Sequence, residues 1–148
     1  MPILEGGSYI HGQTTWKLPA TSRHRTVSIV ASRYGEGTTG GEIKLYLQWI
    51  SENAYVRSSI TGKHVLIFDD VLDKGDTILA VIDALQAFQP ASIKTLFMAR
   101  KDVPRPREVQ ADYVLFEVAN LWLVGAGLDD DGRDRHLPYI ACKQGVDG

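Results

Sequence analysis

The segment His64-Val65-Leu66-Ile67-Phe68-Asp69-Asp70-Val71-Leu72-Asp73-Lys74-Gly75-Asp76-Thr77 constrains the fold of this chain more than any other stretch. Its apolar run over 64–68 predicts a strand buried on both faces of a parallel sheet. Directly behind it, residues 75–88 carry helical spacing. Ile78, Val81, Ile82 and Leu85 recur at i, i+3, i+4 and i+7 and make one apolar stripe, which Pro90 ends soon afterwards. Residues 93–99 read as the next strand. The spacing therefore predicts a strand–helix–strand unit over 64–99 with a right-handed crossover, and hence an α/β fold. Ligands of such open sheets sit beyond the carboxyl ends of the strands, where the acids of this segment lie.

The rest of the chain is compatible with that unit. Residues 26–32 read as a strand, 42–50 alternate as a half-exposed strand, and 112–118, 122–125 and 139–143 are shorter strand candidates. Residues 34–41 hold four glycines in eight positions and predict a mobile loop able to act as a lid. Residues 101–110, with two prolines and alternating charge, predict a surface connection. At 148 residues the chain is long enough for one domain with a real core.

Bulk properties exclude several classes. A net charge of −2 provides no general pull toward nucleic acid or anionic membrane, and no basic run suggests an RNA-binding regulator. No apolar run approaches the ~18–20 residues needed to cross a bilayer, and residues 1–7 have no signal-peptide pattern. The single cysteine, Cys142, forms no internal disulfide; it is expected to be a buried small hydrophobe in a protein of the reducing cytoplasm. The histidines, His11, His24, His64 and His136, show no metal-ligand spacing.

The chemistry concentrates after Phe68. A helix start preceded by a glycine turn offers backbone N–H groups and a positive dipole end, which suits a phosphate; Thr77 can add a hydroxyl donor. Paired carboxylates suit vicinal ribose hydroxyls, and Mg2+ takes oxygen ligands while keeping several waters. One acid here would only cap the helix. Two adjacent acids followed by Asp-x-Gly-x-Thr point instead to a sugar phosphate.

These fourteen residues resemble the ribose-phosphate-binding signature of the type I phosphoribosyltransferases. The tail narrows the likeness. Residues 112–118, Leu121-Trp122-Leu123-Val124-Gly125-Ala126-Gly127-Leu128-Asp129 and Arg133-Asp134-Arg135-His136-Leu137-Pro138-Tyr139-Ile140 are similar in order and spacing to the hypoxanthine–guanine phosphoribosyltransferases. Leu4-Glu5-Gly6-Gly7 is similar to that family's pyrophosphate loop, and Ser32-Arg33-Tyr34-Gly35 to the start of its mobile catalytic loop.

The resemblance implies a type I phosphoribosyltransferase-like parallel sheet flanked by helices, with a small C-terminal hood. It further implies transfer of phosphoribose from phosphoribosyl pyrophosphate to a 6-oxopurine, in purine salvage. Ribose phosphate would sit on Asp69, Asp70, Asp73, Lys74, Gly75, Asp76 and Thr77. The purine would meet Trp122 by stacking, the main chain of Leu123 and the ammonium of Lys101. Pyrophosphate would lie against Glu5, Gly6 and Arg135, and Mg2+ against Asp69, Asp70 and Asp129. Asp73 would handle the purine N7 proton and Tyr34 would close over the reacting centre; these two are the expected catalytic residues.

Three departures stand out. Glu5 occupies a position where the family often has Lys, Lys74 one where it often has Thr, and Asp76 one where a neutral or basic residue is common. The domain is expected to lack the family's usual N-terminal helix and part of its first core strand, leaving residues 1–4 for that strand and raising the need for a homodimer or homotetramer. The alternative to an enzyme is a non-catalytic descendant that binds a nucleotide or a partner protein.

Overall fold

The computed structural model describes residues 1–34, 42–105 and 109–147. Strand β1 (Ile3–Leu4) leads into helix α1 (Gly7–Thr15), then strands β2 (Ile29–Tyr34) and β3 (Glu42–Tyr46). Two short helices follow, α2 (Gln48–Glu52) and α3 (Ala54–Ser58). The signature segment supplies β4 (His64–Leu72) and α4 (Asp76–Gln86), and β5 (Ser92–Lys101) and β6 (Tyr113–Val118) complete the parallel part. Strands β7 (Leu121–Val124) and β8 (Ala141–Asp147) form a separate antiparallel pair, the hood.

Strand β1 joins two halves of the main sheet. It pairs in parallel with β2, while Pro2 bridges Phe68 of β4 in parallel. The Met1 amine donates to the Leu66 carbonyl (2.8 Å) and the Phe68 N–H to the Met1 carbonyl (2.9 Å). The strand order is therefore 3-2-1-4-5-6, with β3 the antiparallel edge. Residues 1–4 lie between the two halves with backbone groups paired on both sides.

Each sheet face has its own core. Ile78, Val81 and Leu85 of α4 pack with Ile3, Ile29, Ile67, Leu72 and Phe97 and with Ile50, Val56 and Ile60 from the α2–α3 region. On the other face Ile10 of α1 packs with Phe68, Leu96 and Met98 and with Leu123, Ala126 and Leu128 of the hood.

Several expectations are corrected here. The strand expected over 42–50 ends at Tyr46, and Gln48-Trp49-Ile50 turn into a helix that buries Ile50 completely. Asn53 then starts α3 by accepting from the Tyr55 and Val56 N–H groups (3.0 and 3.2 Å), a cap that competes with continued extension. Helix α1 carries little helical signal, because glycines stand at its cap (Gly6), its first position (Gly7) and its middle (Gly12), and Ile10 is its one large buried side chain. Cys142 is exposed, since β8 belongs to a two-stranded sheet that covers one of its faces. Strand β4 runs four residues past Phe68, so Asp69 and Asp70 lie on a strand rather than in a loop.

Candidate functional site

Consecutive side chains of a straight strand point to opposite faces, yet Asp69 and Asp70 both line one cavity. The strand solves this with a local reversal. Before the acids, Ile67 packs on the α4 side and Phe68 on the α1 side; after them, Val71 packs on the α1 side and Leu72 on the α4 side. Within the reversal the main chain bonds to the acids themselves. The Asp70 N–H donates to Asp69 Oδ1 (3.1 Å) and the Val71 N–H to Asp70 Oδ1 (2.7 Å).

The cavity has a volume of about 270 Å3 at the carboxyl end of β4, and Glu5, Gly6, Asp129 and Arg135 also line it. Burial and the neighbouring charge of Asp70 push the Asp69 carboxyl well above the usual range. Burial also raises Asp70, partly offset by the Val71 N–H and by the charge of Arg135. Two acids held this way favour a protonated form, or a cation or a hydroxyl donor between them.

Helix α4 opens the same cavity at its N-terminal end. Gly75 takes φ +88°, a left-handed conformation suited to glycine, and a Cβ there would stand 2.5 Å from Val109 Cγ2. The first intrahelical bond is Leu79 N–H to Gly75 O (3.1 Å), so the first-turn amides face outward. Gly75 and Thr77 line the cavity, whereas the exposed side chains of Lys74 and Asp76 do not. At this end the cavity is thus lined by backbone and a hydroxyl.

The β1–α1 turn comes very close to the acids. A Cβ on Gly6 would lie 2.0 Å from Asp70 Oδ2, and one on Gly7 2.3 Å from the Phe68 carbonyl. Arg135 donates to the Gly127 carbonyl (2.6 Å), pairs with Asp129 (2.7 Å) and holds Nε 3.6 Å from the Glu5 carboxylate. Asp129 also accepts from the Gly132 N–H (2.7 Å). Arg135 is thereby engaged by two acids of its own chain.

A second group extends from Asp73. Its carboxylate lies 3.8 Å from Lys101 Nζ, which in turn stands 6.0 Å from the centroid of the Trp122 ring. Lys101 is 7% exposed, unlike a loose surface lysine, while Arg100 points outward and pairs with Glu117. Leu123 is buried beside Trp122, in register with Cys142 of β8. Tyr34 closes β2 in register with Glu42; residues 35–41 of the expected lid lie outside the described residues.

Among the described residues no three His, Cys, Asp or Glu side chains are gathered as a closed metal cage, and Asp69, Asp70 and Asp129 line one cavity without forming one. They do present a wholly oxygen donor set around one cavity. That fits Mg2+, which takes one or two carboxylates and completes its shell with water and substrate oxygens.

One residue escaped the sequence reading. Arg105, within the segment read as a surface connection, donates to three main-chain carbonyls, those of Asp73 (2.8 Å), Lys101 (2.6 Å) and Leu72 (3.3 Å). Its only sequence signal was a basic residue beside proline in a charged loop.

Comparison with known proteins agrees with this geometry. The family model described as the phosphoribosyl transferase domain matches residues 1–131. The bifunctional protein TilS/HprT of Listeria monocytogenes is 36% identical over 110 residues, covering 74% of this chain and 16% of that protein. The hypoxanthine-guanine phosphoribosyltransferase of Streptococcus thermophilus is 34% identical over 113 residues, covering 76% of this chain and 59% of its own length. The chain thus spans less than two thirds of the length of these relatives. Two crystal structures share the fold closely. A hypoxanthine phosphoribosyltransferase from Staphylococcus aureus has a TM-score of 0.80 at 26% identity, over 95% of this chain and 72% of that one. A hypoxanthine-guanine phosphoribosyltransferase from Bacillus anthracis has a TM-score of 0.81 at 28% identity, over 96% and 79%. With its parallel sheet, its hood and its acid-bearing β4–α4 turn, the chain belongs to the phosphoribosyltransferase family, on the hypoxanthine–guanine branch.

Proposed function

We propose that this chain transfers phosphoribose from phosphoribosyl pyrophosphate to a 6-oxopurine, releasing pyrophosphate and a nucleoside 5′-monophosphate. The observation that carries the reading is one cavity shared by three kinds of group. Paired carboxylates, a helix start and an arginine–acid cluster line it, with the Asp73–Lys101–Trp122 chain alongside.

The 5′-phosphate sits on the first-turn amides of α4 and the Thr77 hydroxyl. Asp69 and Asp70 accept from the ribose 2′- and 3′-hydroxyls. Gly6 and Arg135 face the pyrophosphate, with Asp129 beside them. Asp69, Asp70 and Asp129 offer the oxygen donors that would hold Mg2+, which would supply charge neutralisation for the pyrophosphate leaving group. Trp122 stacks on the purine, Lys101 donates to its 6-oxo oxygen, and the Leu123 main chain reads its edge. As the N9–C1′ bond forms and the C1′–oxygen bond to pyrophosphate breaks, Asp73 accepts the N7 proton. Positive charge developing at C1′ is stabilised by the nearby carboxylates, and positioning supplies much of the acceleration. The expected part of Tyr34 over the reacting centre falls on a side chain outside those described.

We read residues 1–148 as one domain acting as a homodimer or homotetramer in the cytoplasm. Among the described residues no helix is long and apolar enough to cross a membrane. The test is phosphoribosyl pyrophosphate consumption with hypoxanthine, guanine and xanthine in Mg2+. Turnover of at least one base is expected. No turnover with any base, alongside measurable nucleoside monophosphate binding, overturns the catalytic reading in favour of a binding protein.

A further inference from the structure

The ladder between β4 and β5 runs in register to Leu72 and Arg100 and ends there. The two side chains assigned to the purine edge, Asp73 and Lys101, lie one residue beyond that end, where no strand pairing fixes one to the other. Arg105 takes over at this point. Its Nε donates to the Asp73 carbonyl (2.8 Å), and its Nη2 donates to the Lys101 carbonyl (2.6 Å) and the Leu72 carbonyl (3.3 Å). One guanidinium thus bonds both strand ends. A planar fork with five donors in fixed directions suits three carbonyls, whereas a single ammonium does not reach them with the same geometry.

We propose that Arg105 is a positioning residue, which sets the separation of the Asp73 and Lys101 head groups by clamping the carbonyls of Leu72, Asp73 and Lys101. The inference rests on the reading of those two residues as the pair that meets N7 and the 6-oxo group. Both targets lie on one rigid heterocycle, so the two side chains must keep one distance to engage it together. In the ligand-free protein the heads stand 3.8 Å apart, the separation the clamp sets. None of the bonds that Arg105 makes goes to the first turn of α4 or to Gly6 and Arg135, so ligands held there should depend on the clamp far less than the purine does.

The experiment compares wild type with Arg105→Lys, Arg105→Gln and Arg105→Ala, well below each melting temperature. Steady-state turnover is measured with a 6-oxopurine, and phosphoribosyl pyrophosphate affinity in Mg2+ is measured separately. The expected result is a fall in kcat of about 10- to 100-fold, the scale for an ångström of misplacement. The KM for the purine should rise and phosphoribosyl pyrophosphate affinity should stay within about twofold. Arg105→Lys should give little rescue although it keeps the charge. Parallel losses in both substrates, or full activity in Arg105→Lys, overturn the inference. A crystal structure of Arg105→Gln is the arm independent of activity. A separation of Asp73 and Lys101 unchanged from wild type overturns the clamp, whatever the enzyme turns over. Absence of turnover in wild type counts against the proposed reaction alone, and the crystallographic arm still decides on Arg105.

Discussion

Substitution of Gly6 by alanine isolates one steric contact at the centre of the site. Gly6 has φ −55° and ψ −46°, a backbone that any residue adopts, so the substitution carries no conformational penalty. Its whole effect is the new methyl group, 2.0 Å from Asp70 Oδ2, 2.5 Å from Cγ and 3.1 Å from Oδ1. Ordinary contact begins near 3.4 Å, so the carboxylate or the turn must retreat by about 1.4 Å. Neither moves freely. Asp70 Oδ1 holds the Val71 N–H, and α1 is anchored through Ile10 in the core beside Phe68. Overpacking of this size costs about 1–3 kcal/mol. If the carboxylate swings aside, that cost appears as lost ligand affinity, roughly 5- to 150-fold by the relation of 1.4 kcal/mol to a factor of ten. If it stays, the cost appears as lost stability, about 2–4 °C of melting temperature per kcal/mol at this chain length. Titration calorimetry with a nucleoside monophosphate or with Mg2+–phosphoribosyl pyrophosphate, together with thermal melts, reads both. Gly12→Ala is the control, because a Cβ there meets nothing within 4 Å in the same helix. It should leave binding unchanged and raise stability by up to about 1 kcal/mol. A Gly6→Ala protein with wild-type affinity and wild-type melting temperature refutes the geometry of this wall.

Other perturbations address separate parts of the site. Asp73→Asn should lower kcat by about 100-fold or more while nucleoside monophosphate affinity changes little, because it removes a proton acceptor and keeps the shape; equal loss of both would make Asp73 structural. Asp69→Asn should stabilise the ligand-free protein at neutral pH. The folded pKa lies above the ordinary 3.8, so the folded state holds the extra proton, and stability falls as pH rises from there through the raised value. In Asp69→Asn melts that decline should flatten, and the Mg2+ dependence of binding should weaken; a steeper decline would contradict the assignment. Glu5→Gln should tighten Mg2+–pyrophosphate binding about two- to fivefold at low salt by releasing Arg135 from one acid. The gain is small because the Glu5 side chain is 77% exposed and its charge is screened. No change at low salt would mean the 3.6 Å contact has no energetic weight.

What the sequence by itself determined was local or periodic. The apolar run of 64–68, the stripe of Ile78, Val81, Ile82 and Leu85 and the stop at Pro90 specified the strand–helix–strand unit, because one buried face imposes a period on the side chains. The glycine turn before Thr77 marked the start of α4 for the same kind of reason, since a left-handed residue is a local backbone requirement. Tertiary structure decided the rest. That residues 1–4 act as a central strand depends on partners more than twenty residues away, Ile29 on one side and Leu66 and Phe68 on the other. Strand 42–50 lost its last residues to a helix because burying Ile50 outweighed local alternation. The burial of Lys101 and the outward turn of Arg100 to Glu117 followed from strand parity. The reach of Arg105 to three carbonyls, and the turning of both Asp69 and Asp70 into one cavity, require two strand ends and a reversal in β4 to be placed together. Side-chain spacing along one chain carries no record of such meetings, because the groups that create them are distant in sequence and are joined only when the sheet closes.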